Sequence, residues 1–350
     1  MPVLRNHHYV PQFYFRRFSF DEKSICLLTR PTGKVVARAP IKGQASKIGY
    51  YGDEEVEKAL SEIEGACAAA LRSLDQVQDP QLLADDDVTL VLTHLTLQRT
   101  RTETARQNGK AFHDKLQQLL LEVEVNNSTY LSEPERQLLL DSLPYVEANP
   151  VEAQRLEMGV AVEQSAGLRD LRPLILVNKT NRPFVFGDSP VVFYNSFYRD
   201  VRYRGVLGMD TPGLMVFFPL SASTYLALLD PNCYQVRRGA RGNRVQVRDL
   251  RDVLALNQLQ IHAASNCVYF GDFKFAPYVV EAWRQERARL TKHEGRVIEA
   301  PERNAATGET MGDIVHGFQP QLAYPLKLTF LMHDVHGDDS YAFTRRSQRD

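Results

Sequence analysis

Leu174-Ile175-Leu176-Val177-Asn178-Lys179-Thr180-Asn181-Arg182-Pro183-Phe184-Val185-Phe186-Gly187-Asp188-Ser189-Pro190 is where the chain changes character. Two runs of β-formers flank Asn181-Arg182-Pro183, which breaks regular structure. Further short runs at Val191 to Tyr194, Leu214 to Phe218 and Tyr225 to Leu229 predict an antiparallel sheet over about 172–272. The residues before it read as helices. From Asp53 to Asp75, Val56, Leu60, Ile63, Cys67, Ala70 and Leu74 recur at helical spacing, with Asp53 as cap. Asp85 to Asp87 opens a second helix, apolar on two sides and therefore buried. Ala111 to Leu171 continues helical, and Ser132-Glu133-Pro134-Glu135 has the form of a capping box.

Segregated helices and strands argue for an α+β fold, not alternating βαβ units. The expected order is a short N-terminal hairpin (Ser24 to Leu28 and Lys34 to Arg38, around Pro31-Thr32-Gly33), a helical half over about 53–171, and the sheet. Helices at Leu250 to Ala264 and Phe275 to Leu290 pack on that sheet. Residues 1–295 form one domain in this reading. Residues 296–350 supply a mobile loop at Pro301 to Gly312, an edge strand within Leu326 to Met332, and a disordered tail from Asp338 to Asp350.

With 350 residues and 43% hydrophobic content the chain can bury a sizeable core. Lysine and arginine total 42 against 43 acidic residues, which excludes a global attraction to nucleic acid or to an anionic membrane, so a nucleic acid or nucleotide partner requires a local basic patch. Cys26, Cys67, Cys233 and Cys267 are too far apart for a zinc ribbon and suggest no disulfide framework. No leader pattern or membrane-length apolar run is present, so a cytoplasmic location is expected.

Candidate chemistry begins at Asn6-His7-His8-Tyr9-Val10-Pro11-Gln12-Phe13-Tyr14-Phe15-Arg16-Arg17. Pro11 fits the first turn of a helix, so the histidines sit at its entrance, where free N–H groups favour an anion and Arg16 or Arg17 adds charge. A buried N-terminal element with a hydrogen-bonded histidine fits the same residues. The apolar stripe of the helix after Asp87 runs into Gln98-Arg99-Thr100-Arg101, filling core-directed positions with an amide and a guanidinium. Glu64, bordering the Ile63/Cys67 stripe, is placed to neutralise Arg99, bind a divalent metal or act as a base, and these three stay open. Asp188 ends a strand, a position suited to metal or base chemistry and equally to capping a turn.

The His-His-Tyr-Val-Pro-Gln-Phe-Tyr opening, the Gln98-Arg99 helix end, the Pro183 to Pro190 block, Pro219-Leu220-Ser221 and the Asn257 helix together resemble the bacterial family of unknown function numbered 4238, over about residues 5–272. The resemblance matches His7, His8, Tyr9, Pro11 and Tyr14 to its opening motif and Asp188 and Pro190 to its later block. It implies a shared site and no particular reaction.

The leading expectation is a nuclease, a bacterial defence or toxin effector, with His7, His8, Asp188 and Glu64 catalytic and Tyr9, Gln12, Tyr14, Arg17, Gln98 and Arg99 binding substrate. Histidine is the acid/base group suited to neutral pH, and arginine's planar fork matches phosphate oxygens. A divalent metal is the one cofactor considered. A non-catalytic sensor of a nucleotide or other anionic small molecule is the alternative, and an ADP-ribosyl transferase the second. No glycine-rich phosphate loop is present.

Overall fold

The computed structural model describes residues 6–52, 54–77, 79–201, 205–237, 242–303 and 309–333. Strand β1 (Asn6–His8) leads into the short helix α1 (Gln12–Arg16), the hairpin β2 (Ser24–Thr29) and β3 (Val35–Pro40), and β4 (Ser46–Ile48). Five helices follow: α2 (Glu54–Gln76), α3 (Asp85–Thr100), α4 (Glu103–Asn127), α5 (Glu133–Ser142) and α6 (Pro150–Glu163). Strands β5 (Arg172–Asn178), β6 (Phe186–Gly187), β7 (Val192–Tyr194), β8 (Met215–Pro219), β9 (Thr224–Leu229), β10 (Tyr234–Val236) and β11 (Arg244–Val247) come next. The described chain closes with α7 (Leu250–Ala263), β12 (Cys267–Phe270), α8 (Ala276–Glu286), β13 (Arg296–Arg303), β14 (Thr310–Phe318) and β15 (Leu331–His333).

The main sheet has the order β11-β5-β9-β8-β7, and its strands are apolar on both faces because both are covered. Side chains alternate along each strand: Ile175, Val216 and Phe218 pack with Leu71, Leu74, Leu92 and Leu95 of α2 and α3, while Leu174, Leu176 and Phe217 pack with Val253, Leu256 and Leu259 of α7. The α+β class is confirmed, with one difference: β11 runs parallel to β5, so this sheet is mixed.

The N-terminal hairpin is not an isolated unit. It belongs to a second sheet, β3-β2-β12-β6, in which Leu28 faces Val268. There β6 is an edge, and α7 completes it. Asn257 Oδ1 accepts the Val185 N–H at 2.9 Å and Gln260 Oε1 accepts the Gly187 N–H at 3.0 Å. Alternate residues of an extended segment direct their N–H groups the same way, so two amides one helical turn apart serve as a missing strand. Gly187 permits this approach, since a Cβ there would lie 2.9 Å from Ala264 Cβ and 3.0 Å from the Gln260 carbonyl.

Other expectations shift at the ends. Pro11 is the cap preceding α1 and not its first residue. The capping box at Ser132 and Glu135 is present. Of the stretch expected as a mobile loop, Pro301 to Gly312, residues 301–303 and 310–312 belong to two long paired strands, β13 and β14, and residues 304–308 lie outside the described residues. β14 is exposed along most of its length, so no alternating apolar pattern announces it. Of the edge strand expected within Leu326 to Met332, only Leu331 and Met332 are in a strand, β15, which pairs with β10. Asp53 and the tail from Asp338 lie outside the described residues. Among the described residues no helix is long and apolar enough to cross a membrane.

Replacing Asn257 by alanine is expected to cost about 2–4 kcal/mol, because it strips partners from the buried Val185 N–H and the Pro183 carbonyl. Denaturant unfolding checks this, and a loss below about 1 kcal/mol would contradict the edge-completing role.

Candidate functional site

The N-terminal segment is held by one cation. Arg101 ends α3 with 1% of its surface exposed. Its Nε donates to the Tyr9 carbonyl at 3.1 Å, and Nη2 donates to the His8 carbonyl at 3.2 Å and to Glu64 Oε1 at 2.6 Å. Gln98 Nε2 adds a second bond to the Tyr9 carbonyl, at 2.9 Å. Arg101, not Arg99, is therefore the partner of Glu64. The two arginines are about 200° apart around a helix, so only one can face the N-terminal segment.

Because β1 alternates, its histidines part. His7 is buried and stacked on Tyr51, with ring centroids 5.8 Å apart, and its Nδ1 accepts the Tyr51 N–H at 3.1 Å, which places the ring proton of the neutral form on Nε2. His8 Nε2 donates to the Lys42 carbonyl at 2.9 Å. Tyr14 donates to the Pro219 carbonyl at 2.6 Å, and Arg17 bonds the Leu220 carbonyl and the Asp75 carboxylate. Gln12 accepts from Arg16 at 3.4 Å. Asp188 is buried at the end of β6, where its carboxylate accepts the N–H groups of Ser265, Asn266 and Cys267 at 2.7, 2.8 and 3.1 Å. Burial raises its pKa to about 6, against the pull of those three donors. Of the residues chosen from sequence, His8, Tyr9, Glu64 and Gln98 thus meet around Arg101, while Asp188 ties β6 to the turn between α7 and β12.

Arg99 leaves α3 on the other side. Its guanidinium lies 4.1 Å from the centroid of the Phe193 ring and donates to Gln319 Oε1 at 3.0 Å. Here α4, α6, residues 205–209 and the end of β14 enclose a cavity of about 500 Å³. Across it stand two residues that the sequence reading missed. Glu157 of α6 is pushed up to about 7 by burial, opposed by the charge of Arg99. His113 of α4 has its Nε2 3.5 Å from Glu157 Oε1, and burial lowers its pKa. A Cβ on Gly109 would sit 2.7 Å from Glu157 Oε1 and 3.0 Å from His113 Cε1, so the glycine makes room for the pair. A glycine inside a helix one turn before a histidine was the available sequence clue, since it is unfavourable by about 1 kcal/mol without a packing reason.

Arg99 forms no ion pair among the described residues. Burial lowers its pKa to about 10, which leaves it charged at neutral pH. Asn108 contributes a buried Nδ2 with no hydrogen-bond partner among the described residues. The cavity therefore presents a fixed cation, an amide donor and a carboxyl group able to exchange a proton near pH 7. Among the described residues no three His, Cys, Asp or Glu side chains converge to hold a metal ion.

A family model described as protein of unknown function, DUF4238, matches residues 6–274. The chain belongs to this family. The DUF4238 match includes the Arg101 cluster, Asp188, Arg99, His113 and Glu157, and ends before α8, so Gln319 lies beyond it. No curated protein and no solved structure matches the chain.

Glu157 sets a pH dependence whose sign is fixed. Its folded pKa lies above the ordinary 4.5, so the folded protein holds a proton that the unfolded chain releases. The stabilisation is complete below about 4.5 and is lost as pH rises through about 7. Glu157→Gln should therefore flatten the melting-temperature profile in this window and melt a few degrees above wild type at alkaline pH. Calorimetry across pH checks it, and an unchanged profile would contradict the placement of Glu157.

Proposed function

We propose that this protein is a phosphodiester hydrolase, a nuclease acting on RNA or DNA, with its chemistry in the Arg99 cavity. The carrying observation is a part-buried arginine without an ion pair among the described residues, facing a carboxyl group that titrates near neutrality. Among the described residues a guanidinium so placed has no ion-paired carboxylate, and its planar fork fits two phosphate oxygens. As water attacks phosphorus and the bond to the leaving oxygen breaks, Glu157, close to half-protonated at pH 7, is suited to take the proton of the attacking water or to give one to the leaving oxygen, and neutral His113 beside it is suited to relay that proton. We assign these two the acid–base role that the sequence alone gave to His7, His8, Asp188 and Glu64. A cytoplasmic defence or toxin effector is the setting that fits such an activity.

A sensor that binds a nucleotide or other anionic small molecule without turnover is the second reading. What favours it is the cavity volume, which is that of a small-molecule pocket.

Labelled RNA, single-stranded DNA and duplex DNA, incubated with magnesium, manganese, zinc or chelator, test both readings. Cleavage should fall at least about 100-fold in Arg99→Met and in Glu157→Gln while His8→Ala retains it. Loss in His8→Ala with retention in Glu157→Gln would move the chemistry to the N-terminal segment. No cleavage, but a melting temperature raised by a nucleotide, would establish the sensor.

A further inference from the structure

We infer that the groove lined by Arg30, Lys110, Arg287 and Lys292 holds the backbone of a single-stranded nucleic acid and presents one of its nucleotides to the Arg99 cavity. The substrate named here rests on the hydrolase reading above; the groove itself stands on its own observations. It has a volume of about 1030 Å³ and is bounded by the turn after β2, by α4 and by the segment following α8.

Its charge is built in. Arg30 directs its guanidinium into backbone carbonyls, with Nε donating to Ile261 at 3.0 Å and Nη2 donating to Thr291 at 2.8 Å and His262 at 3.5 Å. Carbonyls fix an arginine without cancelling its charge. Arg287 stands 5.9 Å from the Trp283 ring centroid, and that ring is anchored from below because Trp283 Nε1 donates to the Arg30 carbonyl at 2.7 Å. Arg30, Arg287 and Lys292 form no ion pair among the described residues. Lys110 is partly neutralised by Asp114 and Glu147, each at 2.9 Å, and Glu294 is the one carboxylate among the described residues that line the groove. Cations distributed along a groove suit a repeating anion, whereas a lone phosphate needs one of them.

Groove and cavity are neighbours. A narrow cleft of about 30 Å³ shares Arg99, Asn108 and Gln319 with the cavity and His293 with the groove. The two lie on either side of α4, with Gln107 and Lys110 lining one and Asn108, Gly109 and His113 the other. A flexible strand can bend across this divide and place a nucleotide in the cavity, while a duplex keeps its bases stacked inside.

Fluorescence anisotropy with labelled oligouridylate and oligothymidylate, in chelator and over a range of salt, tests this with the full chain. The double variant Arg287→Glu/Lys292→Glu changes two exposed side chains, and its melting temperature confirms folding. Affinity should fall about ten-fold or more with a shallower salt dependence, and a matching duplex should bind less tightly than the strand. Unchanged affinity and salt slope in the variant would overturn the groove, as would displacement of the strand by polyglutamate as readily as by unlabelled strand. Failure of the two readings is separable. Strand binding lost in the variant, by a wild type that cleaves nothing, keeps the groove and removes the hydrolase. Cleavage of a small phosphodiester with strand affinity unaffected by the variant does the reverse.

Discussion

A guanidinium buried as deeply as that of Arg101 has to find every partner within the protein, because an unpaired charge in the interior costs several kcal/mol, roughly. Glu64 supplies the counter-charge, and the carbonyls of His8 and Tyr9 accept from Nη2 and Nε. Those two carbonyls lie where β1 ends and the chain turns toward α1, outside the strand pairing of β1 with β4 that ends at His8 and Ser46. The ion pair thereby joins three elements distant in sequence: the N-terminal segment, α2 and the end of α3. Once these are joined, α1 lies against the sheet, with Tyr14 stacked on Phe218 and Phe15 edge-on to Phe186 and Tyr269. Residues 6–17 thus form a strap over the core.

The same economy of polar groups recurs on the opposite side of the sheet. Asp188, Asn257 and Gln260 are buried polar residues in apolar surroundings, and each takes backbone N–H groups that a sheet edge or a turn leaves without partners. Fully bonded buried polar groups specify one arrangement among many of similar hydrophobic burial. Against this background Arg99 differs: it is fixed by Phe193 and Gln319 yet lacks a paired carboxylate among the described residues. The contrast between two arginines of one helix end separates the frame from the site.

Much of this was legible in the sequence because it depends on local periodicity. The helices with apolar stripes, the β-rich runs after Leu174 and the capping box at Ser132 all carry their signals within a few residues. The polar interruptions at Arg99, Asp188 and the histidines were also visible as breaks in those patterns. Their partners were not, since periodicity says which side chains turn inward but not what they meet there. Whether Arg99 or Arg101 reaches Glu64 is decided by where α3 ends. The pairing of β2 with β12 spans most of the chain, and β13 and β14 lack an alternating pattern because β14 is exposed along most of its length. His113 and Glu157 lie on separate helices, each an unremarked polar residue until α4 and α6 pack together.

We propose that the cation at Arg99, and not the histidine segment held by Arg101, meets the ligand's phosphate. A crystal structure with a hydrolysis-resistant phosphorothioate dinucleotide tests it most directly. A phosphate oxygen is expected within hydrogen-bond reach of the Arg99 guanidinium, with His7, His8 and Asp188 keeping the partners they have in the free protein. A phosphate bound at those three residues, with Arg99 still turned only to Gln319, would contradict it.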